Sequence, residues 1–269
     1  MSESQKDPIA HHLAYKNEKF LDSDDARTLR ILAEYIEPRA RFEHEKVPGT
    51  VVFFGSARLA EDGPLGQYYK DARELARLYT TWTNALPPSA PRFLICSGGG
   101  HGIMEAANRG AADAGGRTIG LNISLPEEQA PNQYITPDLS FEFHYFFMRK
   151  LWFAHLARAV VVFPGGFGTL DEMSEILTLS QTNKLEGKMT VILYGKQYWN
   201  EIINFDALVK HGMIHAEDLR LFSFVNTPTE ALEFLKQGIV PELQTTMPAF
   251  AKNRPTPDKY SYLYQRSGD

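Results

Sequence analysis

Six short, almost wholly apolar runs punctuate this chain, and longer amphipathic stretches separate them. The runs are 50–54 (TVVFF), 92–96 (RFLIC), 117–122 (RTIGLN), 159–163 (AVVVF), 189–194 (MTVILY) and 221–225 (LFSFV). Apolar runs rich in Val, Ile and Phe, without polar alternation, are what strands covered on both faces look like. The stretches between them, 65–81, 102–114, 146–157, 169–182 and 228–237, read as helices. Strand–helix alternation implies parallel pairing through right-handed crossovers. The expected fold is therefore α/β: a Rossmann-like, doubly wound parallel sheet flanked by helices. No internal repeat is visible, and 269 residues suit one such domain with appendages.

The appendages are an N-terminal arm and helix (1–49) and a C-terminal tail (239–269), around a central domain at 50–238. Within 22–45, Leu29, Leu32, Tyr35 and Ile36 repeat at helical spacing, and Asp22 or Ser23 can cap the start. Pro38 is expected to interrupt or split that helix, because it lacks a donor and crowds the preceding turn. The tail is broken by prolines and carries Tyr260, Tyr262 and Tyr264. The aromatic run Phe141, Phe143, Tyr145, Phe146 and Phe147 reads as core or subunit interface.

Composition removes several classes of function. Twenty-eight basic and 33 acidic residues leave a net charge of −5 and a pI near 5.9, which does not favour nucleic-acid binding. The single Cys96 excludes a disulfide framework or a multi-cysteine metal site within the chain, and it ends an apolar run as a buried, inert thiol would. No stretch has the ~20 apolar residues of a membrane span, and MSESQKDPIAHH lacks the apolar core of a signal peptide. A cytoplasmic protein with no membrane partner is expected. His211 and His215 have helical i, i+4 spacing, but no acidic third ligand stands nearby, so they read as surface and no metal site is expected.

In an open parallel sheet, ligands sit beyond the carboxyl ends of the strands. Three runs lead there into small-residue turns: Gly55-Ser56-Ala57-Arg58, Ser97-Gly98-Gly99-Gly100-His101-Gly102, and Pro164-Gly165-Gly166-Phe167-Gly168-Thr169. Glycines let the backbone approach a ligand closely, and the next helix offers free N–H groups and its positive dipole end. Together these suit a phosphate. The alternative for each loop is tight packing alone. Neither glycine-rich loop is a Walker A sequence or a dinucleotide fingerprint, and Asn122 stands where a ribose-binding acid would end the next strand. A mononucleotide is thus a better fit than NAD, and no cofactor is expected.

The third loop leads into acid. Thr169 followed three residues on by Glu172 is a capping box, while Glu172 and Glu175 share one helical face near the anion site. Carboxylates held beside a phosphate need an offsetting contact, and sugar hydroxyls supply one. Counter-charge comes from Met148-Arg149-Lys150: Arg149 can grip an anion with a planar fork, and Lys150 adds a point charge.

These residues resemble the LOG family of cytokinin-activating phosphoribohydrolases, often labelled lysine decarboxylases. The likeness rests on Pro164-Gly165-Gly166-Phe167-Gly168-Thr169-Leu170-Asp171-Glu172, on Met148-Arg149-Lys150, and on Ser97–Pro126 with its triple glycine and Gly102-Ile103-Met104-Glu105-Ala106. The resemblance runs from about Val51 to Leu235 and implies a Rossmann-like fold, at least a dimer, and nucleoside 5′-monophosphate substrates. It points to Arg149 and Glu172 as catalytic. Gly165, Gly166, Gly168 and Thr169 would hold the 5′-phosphate and Glu175 the ribose, with Met148, Lys150, Phe167 and Asp171 also among the substrate-binding residues. Ser56, Ser97, Gly98, Gly99 and Gly100 would line the pocket, and Glu128 and Asn132 would meet the base. The short plant members carry a His two residues before the Arg; Phe147 stands there instead, as in a longer bacterial subgroup. Two other readings compete. A carrier of a phosphorylated ligand such as molybdenum cofactor would keep the glycine loops without needing both Arg149 and Glu172. A pyridoxal-phosphate decarboxylase needs a Schiff-base lysine, and none is convincingly placed.

Overall fold

The structure is a computed structural model and describes residues 13–125, 130–185 and 189–243, residues 242 and 243 without their side chains. Seven strands form one sheet: β1 (Thr50–Phe54), β2 (Leu94–Ser97), β3 (Thr118–Ile123), β4 (Ser140–Phe143), β5 (Ala157–Val162), β6 (Thr190–Tyr194) and β7 (Ser223–Val225). Their order is β4-β3-β2-β1-β5-β6-β7, and every neighbouring pair is parallel. The helices are α1 (Glu18–Leu21), α2 (Arg27–His44), α3 (Gly66–Asn84), α4 (Ile103–Asp113), α5 (Phe146–Leu156), α6 (Phe167–Gln181), α7 (Lys196–Ile202), α8 (Phe205–Lys210) and α9 (Pro228–Leu243). None is long and apolar enough to cross a membrane.

Alternate side chains of each strand feed two cores. Val51, Phe53, Ile95 and Val161 pack under α3, α4 and α9, while Val52, Phe54, Cys96 and Val162 pack under α2, α5, α6 and α7. All six expected strands are present within a few residues of their expected ends. The seventh, β4, lies within the aromatic run. Phe141 and Phe143 are buried and Glu142 between them is exposed, the alternation of a sheet edge with one covered face. Tyr145 joins that core, whereas Phe146 and Phe147 stand half exposed.

The N-terminal helix corrects two expectations. α2 runs unbroken through Pro38, which is buried. Proline removes the N–H that would bond the carbonyl four residues back. Here that carbonyl, on Glu34, accepts from the Trp152 indole N–H at 2.9 Å. The helix also starts at Arg27 after a 3₁₀ turn, and neither Asp22 nor Ser23 caps it. Moreover, Leu29, Leu32 and Ile36 are exposed, and the helix lies on the body through Ile31, Tyr35 and Phe42. Of the tail, only the end of α9 is described, so Tyr260, Tyr262 and Tyr264 fall outside the described residues.

β1 pairs with β2 on one side and β5 on the other. Chain order reverses there, which makes the carboxyl ends of β1 and β5 the topological switch point where such sheets bind ligands.

Candidate active site

A cleft of about 1230 Å³ opens at that switch point. Its walls are the segment after β1 (54–60 and 63–65), Gly98 after β2, the segment 164–172 after β5, Met104 of α4, Phe146, Arg149 and Phe153 of α5, and Tyr198 and Ile202 of α7. The loops after β1 and β5 are pinned together, since the Ser56 N–H donates to the Pro164 carbonyl at 3.0 Å.

The two glycine loops, so alike in sequence, do different work. A Cβ on Gly166 or Gly168 would meet nothing within 4 Å, so packing does not require glycine there. Open space beside the backbone is what a closely held ligand needs. Helix α6 begins at Phe167, two residues before the expected cap at Thr169. The N–H groups of Phe167, Gly168 and Thr169 therefore lie in the first turn without intrahelical acceptors, at the positive end of the dipole. Gly165 is different: a Cβ there would strike the Thr169 side chain and the Ser56 nitrogen. The Tyr198 hydroxyl donates to the Gly165 carbonyl at 2.7 Å, fixing the loop from α7.

In the loop after β2, packing explains the glycines. A Cβ on Gly98 would meet Arg149 and Met104, and Gly99, at φ +76°, lies against Asn122. Ser97 is fully buried, and its hydroxyl donates to Asn108 at 2.6 Å. Asn132 is buried as well, and its amide donates to the Gly99 and Gly100 carbonyls, both at 3.0 Å. Of this loop only Gly98 reaches the cleft wall, and Asn132 braces the loop from behind. Asn122 donates to the Phe141 carbonyl at 3.0 Å and is turned into the fold.

Arg149 and Glu172 both stand on the cleft wall. Arg149 Nε donates to the Leu121 carbonyl at 2.7 Å, and its guanidinium lies 5.2 Å from the centre of the Phe153 ring. Burial lowers its pKa, against the pull of Glu172, and it remains a cation. Burial likewise pushes the Glu172 carboxyl up to about 7, although the Arg149 and Lys150 charges pull it down. The cleft thus holds a carboxyl poised between its protonated and ionised forms near neutral pH, close enough to a fixed cation to feel its charge.

Lys150 and Glu175 are not brought into the cleft. Burial opposes the Lys150 charge, but hydrogen bonds to Asp171 and Glu175 outweigh it and raise the pKa. Its Nζ lies 2.7 Å from Asp171 and 3.0 Å from Glu175. Glu175 instead faces a smaller cavity of about 400 Å³ beside the end of α5. Met148 is core, and Glu128 lies outside the described residues. Ser56, Phe167, Asp171 and Thr169 line the cleft as expected by position. Sequence reasoning missed Arg58, Tyr198, Ile202 and the 59–65 rim. Arg58 carried a signal, standing two residues after Ser56 at a strand's carboxyl end; Tyr198 and Ile202 carried none, lying about thirty residues downstream on an unmarked helix.

A family model described as "Possible lysine decarboxylase" matches residues 104–235. A probable cytokinin riboside 5′-monophosphate phosphoribohydrolase of Oryza sativa subsp. japonica, LOG4, is 29% identical over 148 residues. The chain is thus similar to LOG-family proteins. That alignment takes in 54% of this chain and 63% of the rice protein, so the chain spans less than two thirds of that relative's length. The rice cytokinin riboside 5′-monophosphate phosphoribohydrolase LOG is 30% identical over 156 residues (56% and 62% of the two chains), and the LOG4 protein of Arabidopsis thaliana 26% over 150 (54% and 66%). Among solved structures, that of TM1055 matches 70% of this chain and 99% of its own at a TM-score of 0.50 and 23% identity. The molybdenum cofactor binding protein of Rippkaea orientalis matches 71% and 98% at 0.50 and 19%. At such identities the structures share the fold.

Proposed function

We propose that this LOG-like chain is a phosphoribohydrolase that hydrolyses the N-glycosidic bond of nucleoside 5′-monophosphates, AMP or a cytokinin riboside monophosphate, to free base and ribose 5-phosphate. One observation carries the reading: Glu172, its carboxyl raised by burial to about 7, shares a cleft wall with Arg149 and follows directly on the open first turn of α6.

The 5′-phosphate sits on the N–H groups of Phe167, Gly168 and Thr169. The anomeric carbon then faces Glu172, one helical turn on. As the C1′–N bond breaks, its electron pair leaves with the base, which takes up a proton, and C1′ gains oxocarbenium character. Ionised Glu172 stabilises that cation or orients the water whose oxygen bonds to C1′; the proton that water releases balances the one the departing base takes up. Arg149 positions the substrate and offsets its charge. Asp171 lines the same wall, while Glu175 acts from behind it through Lys150. The half-exposed Phe146 and the almost fully exposed Phe167, both on the cleft wall, suit a homodimer that covers them. A decarboxylase of the pyridoxal type fits less well, because no lysine lines the cleft among the described residues.

The test is incubation with a panel of nucleoside monophosphates and chromatography for released base. Release of a base supports the reading and ranks the bases. Tight binding of a monophosphate without release would convert the protein to a non-catalytic nucleotide or phosphorylated-cofactor carrier.

A further inference from the structure

Among the described residues, the cleft wall carries four charged side chains, Arg58, Arg149, Asp171 and Glu172. Above the pKa of Glu172 their charges cancel, leaving no surplus to attract a phosphate dianion. The first turn of α6 supplies N–H groups, yet Asp171 and Glu172 on the same helix repel an anion there. A cation must make up the difference. Arg149, anchored through Nε on the Leu121 carbonyl, contributes to offsetting the substrate's charge, but it shares its own charge with Glu172. Lys150 is held outside the cleft by two carboxylates.

Arg58 remains. It is exposed at the rim, and its guanidinium makes no hydrogen bond or ion pair among the described residues. Its backbone, by contrast, is anchored. The Arg58 N–H donates to Ser56 Oγ at 3.0 Å. Ser56 in turn donates its N–H to Pro164, at the head of the phosphate loop, and accepts from the Ile103 N–H at 3.1 Å. A fixed base with a free head, one loop away from Gly166–Thr169, is the arrangement of a clamp whose partner comes from outside the chain.

We infer that Arg58 is a specificity-determining residue: it closes on the 5′-phosphate lodged at the first turn of α6 and makes the cleft select phosphorylated nucleosides over nucleosides. This rests on the phosphoribohydrolase reading. A guanidinium–phosphate contact is charge-assisted and two-pronged, so losing it weakens binding about ten- to a hundredfold. A lysine restores charge without the fork.

The experiment compares wild type, R58A and R58K with AMP and with adenosine. The expected result is a KM for AMP raised about ten- to a hundredfold in R58A, with kcat little changed, R58K between, and adenosine turnover equal in all three. An unchanged KM for AMP, or an equal loss on adenosine, overturns the assignment. If wild type cleaves no monophosphate, the hydrolase reading fails, and titration of AMP into wild type and R58A decides the clamp alone. Weaker binding to R58A sustains it, and equal binding, or none to wild type, overturns it.

Discussion

The indole N–H of Trp152 donates to the main-chain carbonyl of Glu34 at 2.9 Å, the acceptor that Pro38 leaves empty inside α2. The Glu34 carboxylate meanwhile accepts from the His144 and Tyr145 N–H groups at 2.7 and 3.2 Å, at the start of α5. One residue of the N-terminal helix therefore grips α5 at two points, with Arg149 between them. W152F should cost about 1–3 kcal/mol, since a part-buried carbonyl loses its donor. P38A restores a main-chain donor to that carbonyl and should recover part of the loss. A double-mutant cycle by urea unfolding measures the coupling; strictly additive effects would refute the exchange of donors.

Glu172 must be ionised to face a developing cation, and its carboxyl is raised to about 7 by burial. Turnover of a nucleoside monophosphate should therefore climb as pH rises through about 7 and level off above it. E172Q should lose most activity, on the order of a hundredfold or more, while still binding AMP. Rate–pH profiles with a rising limb near 4.5, or wild-type turnover in E172Q, would speak against this role.

The same shift has an opposite consequence for stability. A carboxyl whose pKa is higher folded than unfolded holds its proton more tightly in the native state. Its contribution is complete below the unfolded value of 4.5 and disappears as pH rises through about 7, a change of about 3 kcal/mol. Glutamine carries no such charge. E172Q should thus gain on wild type as pH rises from 4.5 to 8.5, by up to about 3 kcal/mol. Unfolding midpoints at the two pH values read the difference, and a constant gap would show that Glu172 is solvated.

The sheet was legible because buried parallel strands leave continuous apolar runs, and six did. β4 was not, because an edge strand alternates, and four residues of alternation inside an aromatic cluster look like core. The face of α2 was also hidden: Leu29, Leu32 and Ile36 mark a helix, yet what turns them outward is the packing of Tyr35 and Phe42, on its other side, against Trp152 and Phe141, a long-range contact. At the site, glycines of the two loops look the same in sequence. Whether a glycine faces a ligand or a neighbour depends on what lies beside it. Gly166 and Gly168 have open space, whereas Gly98 and Gly99 have Arg149 and Asn122. Lys150 was marked by standing beside Arg149, and Glu175 by lying three residues from Glu172, but the ion pairs that withdraw them join α5 to α6.

Asn108 of α4 holds the loop after β2 in place although it does not line the cleft. It is fully buried. Its carbonyl accepts from the Ser97 hydroxyl at 2.6 Å and the Asn132 amide at 2.9 Å, and its own amide donates to the Thr118 hydroxyl and to the Ile119 carbonyl at 3.1 Å. Ser97 and Asn132 are the two side chains that fix Gly99, through the Gly99 N–H at 3.1 Å and its carbonyl at 3.0 Å. N108A would leave several buried polar groups without partners, at a cost of about 3 kcal/mol or more. N108D keeps the shape but buries a carboxylate against the Ile119 carbonyl, so it should be no better. Both should lower the unfolding midpoint, and amide exchange at 97–102 should quicken beyond the global change. Exchange at that loop as slow as in wild type, with an unaltered midpoint, would mean the network carries no net weight.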